Sequence, residues 1–185
     1  VQFLLVLTCI LKAVDTHADL LRESAADVGN DQRLGGNEAP PAVISVFLGE
    51  QLDDVVTQLI EPGDAAKVKE GGKLLTGVST LPVLQKDATE RNRTSPFAFT
   101  GNKFEFRMLG SSQSIACPNM AINTIFAEEL SQFADILEKA EDFNETLNDL
   151  LSKTIKEHKR ILFNGNNYSD EWVKEAEKRG LPNLR

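Results

Sequence analysis

Cysteine is nearly absent from this chain, which holds two, Cys9 and Cys117, among 185 residues. They have no metal-ligand spacing and no pattern of partner cysteines, which argues against a disulfide framework and a thiolate metal site. Both are expected to be buried small apolar groups in a reducing compartment. Long hydrophobic runs are missing too. The apolar stretch 3–14 is short, is broken by Thr8 and Lys12, and has neither a basic leader nor a small-residue cleavage site. It is expected to be a core helix, not a signal peptide or a membrane span. Positive charge is in deficit, with 20 Lys and Arg against 28 Asp and Glu and a formal net charge of −8. A nucleic-acid partner requires a cationic surface or a dense basic stripe, and the basic residues here are dispersed, so such a partner is not expected. The two histidines, His17 and His158, stand among charged residues on helical stretches and are expected at the surface. The chain starts at Val1 without a methionine and enters directly into apolar sequence. It is therefore expected to be a fragment of a longer protein, with one sizeable core.

Hydrophobic spacing predicts a helix from 2 to about 22, buried in its first half and partly solvated where Asp15, His17, Asp19 and Arg22 appear. The segment 29–41 follows, rich in glycine, asparagine and proline, a composition that supplies positive-φ positions and close backbone approach to a ligand. It leads into 42–48 (AVISVFL), a nearly continuous apolar run that reads as a strand central in its sheet. A short amphipathic helix is expected over 53–60, an exposed excursion over 61–72 and a further short strand over 81–84. Beyond Pro118, apolar residues at helical spacing predict helices over 119–141 and from 147 to 162, joined near Phe143 and Asn144. A last helix is expected to start at Ser169, a suitable N-cap, and to stop at Gly180. Trp172 and Tyr168 should staple it to the body or to a neighbouring subunit.

The most chemically loaded stretch is 90–112. In Lys103-Phe104-Glu105-Phe106-Arg107-Met108 polar and apolar residues alternate, the period-2 pattern of a half-buried strand. Phe104, Phe106 and Met108 then face the core, and Lys103, Glu105 and Arg107 share the other face at spacings of roughly 6 to 7 Å. Arg91 and Arg93 form a second cationic cluster just before Pro96. Alternation alone favours a salt-bridge ladder on a solvated face over a carboxylate set among cations to hold phosphates. Likewise Glu38 alone is either an ordinary loop carboxylate or a base carried on a Gly-rich loop.

Three ordered segments carry a family resemblance: 29–49 (GNDQRLGGNEAPPAVISVFLG), 91–112 (RNRTSPFAFTGNKFEFRMLGSS) and 163–184 (FNGNNYSDEWVKEAEKRGLPNL). Together they resemble the type III glutamine synthetases of bacteria over nearly the whole chain. The resemblance implies an α+β fold, with a curved antiparallel sheet flanked by helices. Residues 1–117 would belong to the catalytic sheet and 118–185 to a helical C-terminal region of the same domain. It implies ATP-dependent ligation of ammonia to L-glutamate through γ-glutamyl phosphate, with ATP and Mg2+ or Mn2+ as cofactors. It also implies a cytoplasmic homo-oligomeric ring, a dodecamer, in which a neighbouring subunit completes each site. This chain alone is then expected to be inactive.

The same resemblance makes Glu105 a metal ligand and Arg107 the catalytic contact to the transferred phosphate. Lys103 and Arg93 become nucleotide contacts, Arg33 and Asn30 glutamate-binding residues, and Glu38 the flap carboxylate that takes a proton from ammonium. Two departures from the type I pattern stand out. The flap segment is one residue shorter, and Ala98 replaces an arginine five residues after the position of Arg93. The remaining metal ligands and nucleotide motifs of the family would lie upstream of Val1. Alternatives are another carboxylate–amine ligase of this fold, whose amine pocket the upstream half would reveal, and a noncatalytic nucleotide-sensing ring subunit. The joint presence of Glu38, Arg93, Glu105 and Arg107 speaks against the latter.

Overall fold

A computed structural model describes residues 1–36, 39–61, 73–74, 84–85 and 94–183. The first helix, α1 (Gln2–Thr16), buries Leu7, Leu11 and Val14, whose spacing places them along one stripe. It stops at His17, whose backbone (φ −116°, ψ 30°) leaves the helical region, and α2 (Ala18–Ser24) resumes. The single helix expected to reach residue 22 is thus two. A one-turn helix, α3 (Val28–Asp31), precedes the Gly-rich segment, and β1 (Val46–Phe47) follows it. Gly49, at φ 82°, turns the chain into α4 (Glu50–Ile60), which starts a turn earlier than expected.

Two-residue strands β2 (Lys73–Leu74) and β3 (Leu84–Gln85) pair antiparallel. The expected excursion over 61–72 lies, beyond its first residue, outside the described residues, as do residues 81–83 of the strand expected over 81–84. β4 (Phe97–Phe99) and β5 (Phe104–Phe106) form an antiparallel hairpin, turned at Gly101 with φ 92° and closed by the Thr100 N–H donating to the Lys103 carbonyl at 2.9 Å. The helical region comprises α5 (Ala116–Glu138), α6 (Phe143–His158) with a 3₁₀ turn at Lys159–Ile161, and α7 (Asp170–Lys178). The Asp142 side chain caps α6 and that of Ser169 caps α7. Gly180 follows α7 at φ 69°.

In the main sheet the order is β1-β4-β5, with β1 parallel to β4. β4, not the 42–48 run, is therefore central. That run is nonetheless wholly buried, because its outer side is covered by other parts of the chain. Val46 bridges to Leu162 and Val43 to Asn183. Burial by chain segments that are not strands leaves the same apolar signature as a central strand.

One core cluster takes Leu11, Leu21, Val46, Met108, Ile155 and Trp172, among others, from both sides of position 117. α1 sits against both α5 and α6, and two buried carboxylates tie it there. Asp15, with its side chain 2% exposed, accepts from Arg160 Nε at 3.0 Å and lies 2.7 Å from His158 Nδ1. Glu129 of α5, equally enclosed, meets Lys12 at 2.5 Å and His17 at 3.7 Å. His158 is therefore a partly buried partner of Asp15 and not the fully solvated side chain that its charged neighbours suggest. Cys9 is buried as expected, and burial, with the nearby Glu129 charge, pushes its thiol up to about 11. Cys117 is exposed, against expectation, because the first turn of α5 turns it outward.

Trp172 is 2% exposed and stacks on Phe163, with ring centroids 3.7 Å apart and planes at 8°. Trp172→Ala should lower unfolding free energy by about 3–5 kcal/mol, the range for emptying a large aromatic site. Urea denaturation of the wild-type and variant chains checks this.

Candidate active-site face

Strand β5 carries the cluster that the alternation pattern predicts. Phe104 and Phe106 lie on the face shared with Phe97 and Phe99, in ring contact at centroid distances of 5.2 to 6.1 Å, and Met108 is fully buried beyond them. On the other face Arg107 donates to Glu105 Oε2 from Nε at 3.0 Å and from Nη2 at 2.8 Å. Glu105 Oε1 lies 3.6 Å from Lys103 Nζ and 3.4 Å from the Thr100 hydroxyl. Side-chain exposures of 63% for Lys103, 31% for Glu105 and 25% for Arg107 leave the group open to a ligand. The hydrogen bonds from Arg107 hold the Glu105 carboxyl below the usual carboxylate range, with the charges of Arg107 and Lys103 adding to the effect.

Ala98 is directly opposite Glu105 in the β4–β5 register and fully buried. No cation can reach Glu105 from that position, so the clamp on its carboxylate comes from its own strand. Glu105 presents hard oxygen ligands, and Oε1, held only at 3.4 Å or beyond, is the one suited to a divalent cation. No group of three or more His, Cys, Asp or Glu able to hold a metal comes together among the described residues.

Residues 146–185 match the glutamine synthetase C-terminal domain family. In an alignment of 186 positions that takes in 99% of its length, the chain is 48% identical to the type-3 glutamine synthetase of Dictyostelium discoideum. It is 45% identical over its whole length to a glutamine synthetase of Butyrivibrio fibrisolvens, and 41% identical over 98% of it to one of Bacteroides fragilis (strain YCH46). This chain belongs to the glutamine synthetase family. It spans about a quarter of the length of these relatives, 25% or 26% of each.

In this glutamine synthetase segment the other candidate residues are distributed unevenly. Glu38 and Arg93, with Arg91, lie outside the described residues. Arg33 is exposed on the segment after α3. The base of that segment is closed by the Gly35 N–H donating to the Pro40 carbonyl at 2.8 Å. Asn30 is only 7% exposed, and its amide nitrogen donates to the Ala25 carbonyl at 3.1 Å and the Met108 carbonyl at 2.8 Å. Both amide hydrogens are thereby used, so Asn30 braces the segment bearing Arg33 against the strand bearing Arg107. Gln113 reinforces this brace, donating to the Ala26 carbonyl and accepting from the Gly110 N–H. Thr100 beside Glu105 was not anticipated, and no local pattern marks it, since it reaches the carboxylate only through the hairpin turn.

Two concavities lie away from this face. A cleft of about 460 Å³ between α4 and the end of α6 is lined by Asp53, Lys156, Lys159, Arg160 and Arg179. A smaller apolar one, about 140 Å³, separates α1 and α5 from the phenylalanine face of the sheet. Among the described residues no helix is long and apolar enough to cross a membrane.

The depressed Glu105 carboxyl fixes the sign of a pH effect. Its contribution to stability is present above the unfolded-state value and is lost as pH falls through the lower folded-state value. A carbon-detected NMR titration should place the Glu105 midpoint below that of an ordinary glutamate. Arg107→Ala should move it back upward, since the hydrogen bonds that stabilise the ionised carboxylate are gone.

Proposed function

We propose that this segment serves the ATP-dependent ligation of ammonia to L-glutamate, giving L-glutamine through γ-glutamyl phosphate. The observation that carries the reading is the convergence of Lys103 and Arg107 on Glu105, on one open face of β5. Phosphoryl transfer asks a protein mainly for positioning and charge neutralisation around the moving group, and this face offers both. A γ-carboxylate oxygen of glutamate attacks the terminal phosphorus of ATP, and ADP leaves. Ammonia nitrogen then attacks the acyl carbon, and phosphate leaves. Arg107 steadies the equatorial oxygens in the first step, and Lys103 and Arg93 hold the remaining phosphates. Glu105 would help hold Mg2+ or Mn2+, which neutralises phosphate charge when bound. Arg33 faces the glutamate side, with Asn30 behind it. Glu38 takes the proton as ammonium becomes ammonia.

The wider setting belongs to the same proposal: a cytoplasmic homo-oligomeric ring of twelve subunits, with part of the metal shell and one wall of the site coming from outside this segment. The experiment is performed in the complete synthetase that carries it. Glu105→Ala should weaken metal and nucleotide binding together, read as a raised Mg2+ requirement and a raised KM for ATP. Unchanged magnesium dependence would reduce Glu105 to a salt-bridge residue and remove the proposal's main support.

Glu38→Ala should separate the two half-reactions. γ-Glutamyl phosphate should still form, while glutamine synthesis falls by roughly 10²- to 10⁴-fold, the loss expected of a general base. The deficit should shrink at higher pH, where free ammonia is more abundant. Loss of ATP binding in this variant would contradict the assignment.

A further inference from the structure

Resting on the ligase reading above, we infer that the loop 164–168 is a two-sided positioning element, acting through Asn167 on the nucleotide side of the site and through Tyr168 on the ammonia side. The loop is far from both in sequence, yet it holds the residue next to each. The Thr94 hydroxyl, adjacent in the chain to Arg93, accepts from the Asn167 N–H at 3.2 Å and its Nδ2 at 3.4 Å, and donates to the Gly165 carbonyl at 3.3 Å. The Tyr168 hydroxyl donates to the carbonyl of Ala39, the neighbour of Glu38, at 2.5 Å.

The loop itself has little freedom. The Phe163 N–H donates to the Val46 carbonyl at 3.0 Å. Asn164 Oδ1 accepts from both the Leu48 and Gly49 N–H groups at 3.1 Å. Asn167 is 4% exposed, and its Oδ1 accepts from the Ser45 hydroxyl. A Cβ on Gly165 would come within 2.6 Å of the Phe163 ring, and that ring is locked against Trp172. The position therefore tolerates only glycine. A loop this tightly held transmits placement to Thr94 and Ala39 and does not merely follow them.

Tyr168 and Asn167 touch no reacting atom on this reading, so their effects are positional and separable. In the complete synthetase, Tyr168→Phe keeps the ring and removes only the hydroxyl. It should lower the rate of glutamine formation at fixed ammonium by about five- to tenfold, the scale of one neutral hydrogen bond. The KM for ATP and the formation of γ-glutamyl phosphate should stay unchanged. Thr94→Val, which cannot accept from Asn167, should raise the KM for ATP several-fold and leave the ammonium dependence unchanged, and Thr94→Ser should restore the wild-type KM. That split supports the inference. If both variants change both readouts in proportion to a lowered thermal midpoint, or if neither readout moves, the loop is only structural and the inference is overturned. Failure of the ligase reading would show elsewhere, in the wild-type enzyme, as ATP turnover independent of glutamate.

Discussion

The stack of Trp172 on Phe163 is the contact on which the arrangement of this molecule rests. It is the junction at which α7, the last helix, is fastened to the chain that leaves α6, and Arg179 covers the outer indole face at 5.3 Å. With its ring stacked, Phe163 also donates its backbone N–H to the Val46 carbonyl, and the polar residues after it make hydrogen bonds to the sheet side. An aromatic pair of this kind contributes through buried area first and ring geometry second. Its larger effect here is to convert a loop of asparagines and one glycine into a rigid bracket.

A chain with net charge −8 nevertheless builds a locally cationic face. Overall charge governs long-range behaviour, whereas the field felt by a bound group is set within a few ångströms and in partly excluded water. Lys103 and Arg107 face one carboxylate there, and the alternation along β5 keeps every phenylalanine on the other side. The same strand thus separates packing from chemistry, residue by residue. Asn30 joins the end of this strand to the segment that bears Arg33, so the two candidate ligand faces are tied to each other.

Buried charge has a different use on the helical side. Asp15 and Glu129 are enclosed, and each is met by a cation and a histidine from another element or another turn. Such pairs add little net stability compared with apolar packing, but they tolerate only one register between helices, because a slipped helix would leave a carboxylate buried and unpaired. They orient α1 against both α5 and α6.

Side-chain spacing and capping residues by themselves determined the helices α4 to α7 within a few residues, the ends of α7 at Ser169 and Gly180, and the two faces of β5, while the α+β class followed from the family resemblance of the ordered segments. These are local consequences of side-chain spacing and backbone preference, and neighbouring residues suffice to specify them. Only tertiary structure decided the rest. The break at His17, the outer position of β1, the partly buried place of His158 beside Asp15 and the outward turn of Cys117 depend on partners distant in the chain or on which side of a helix meets the core. The bracing task of Asn30 and the reach of Tyr168 to Ala39 are of the same kind. A hydrogen bond across such a separation leaves no period in the sequence, since it requires only that two groups arrive at one point when the core closes.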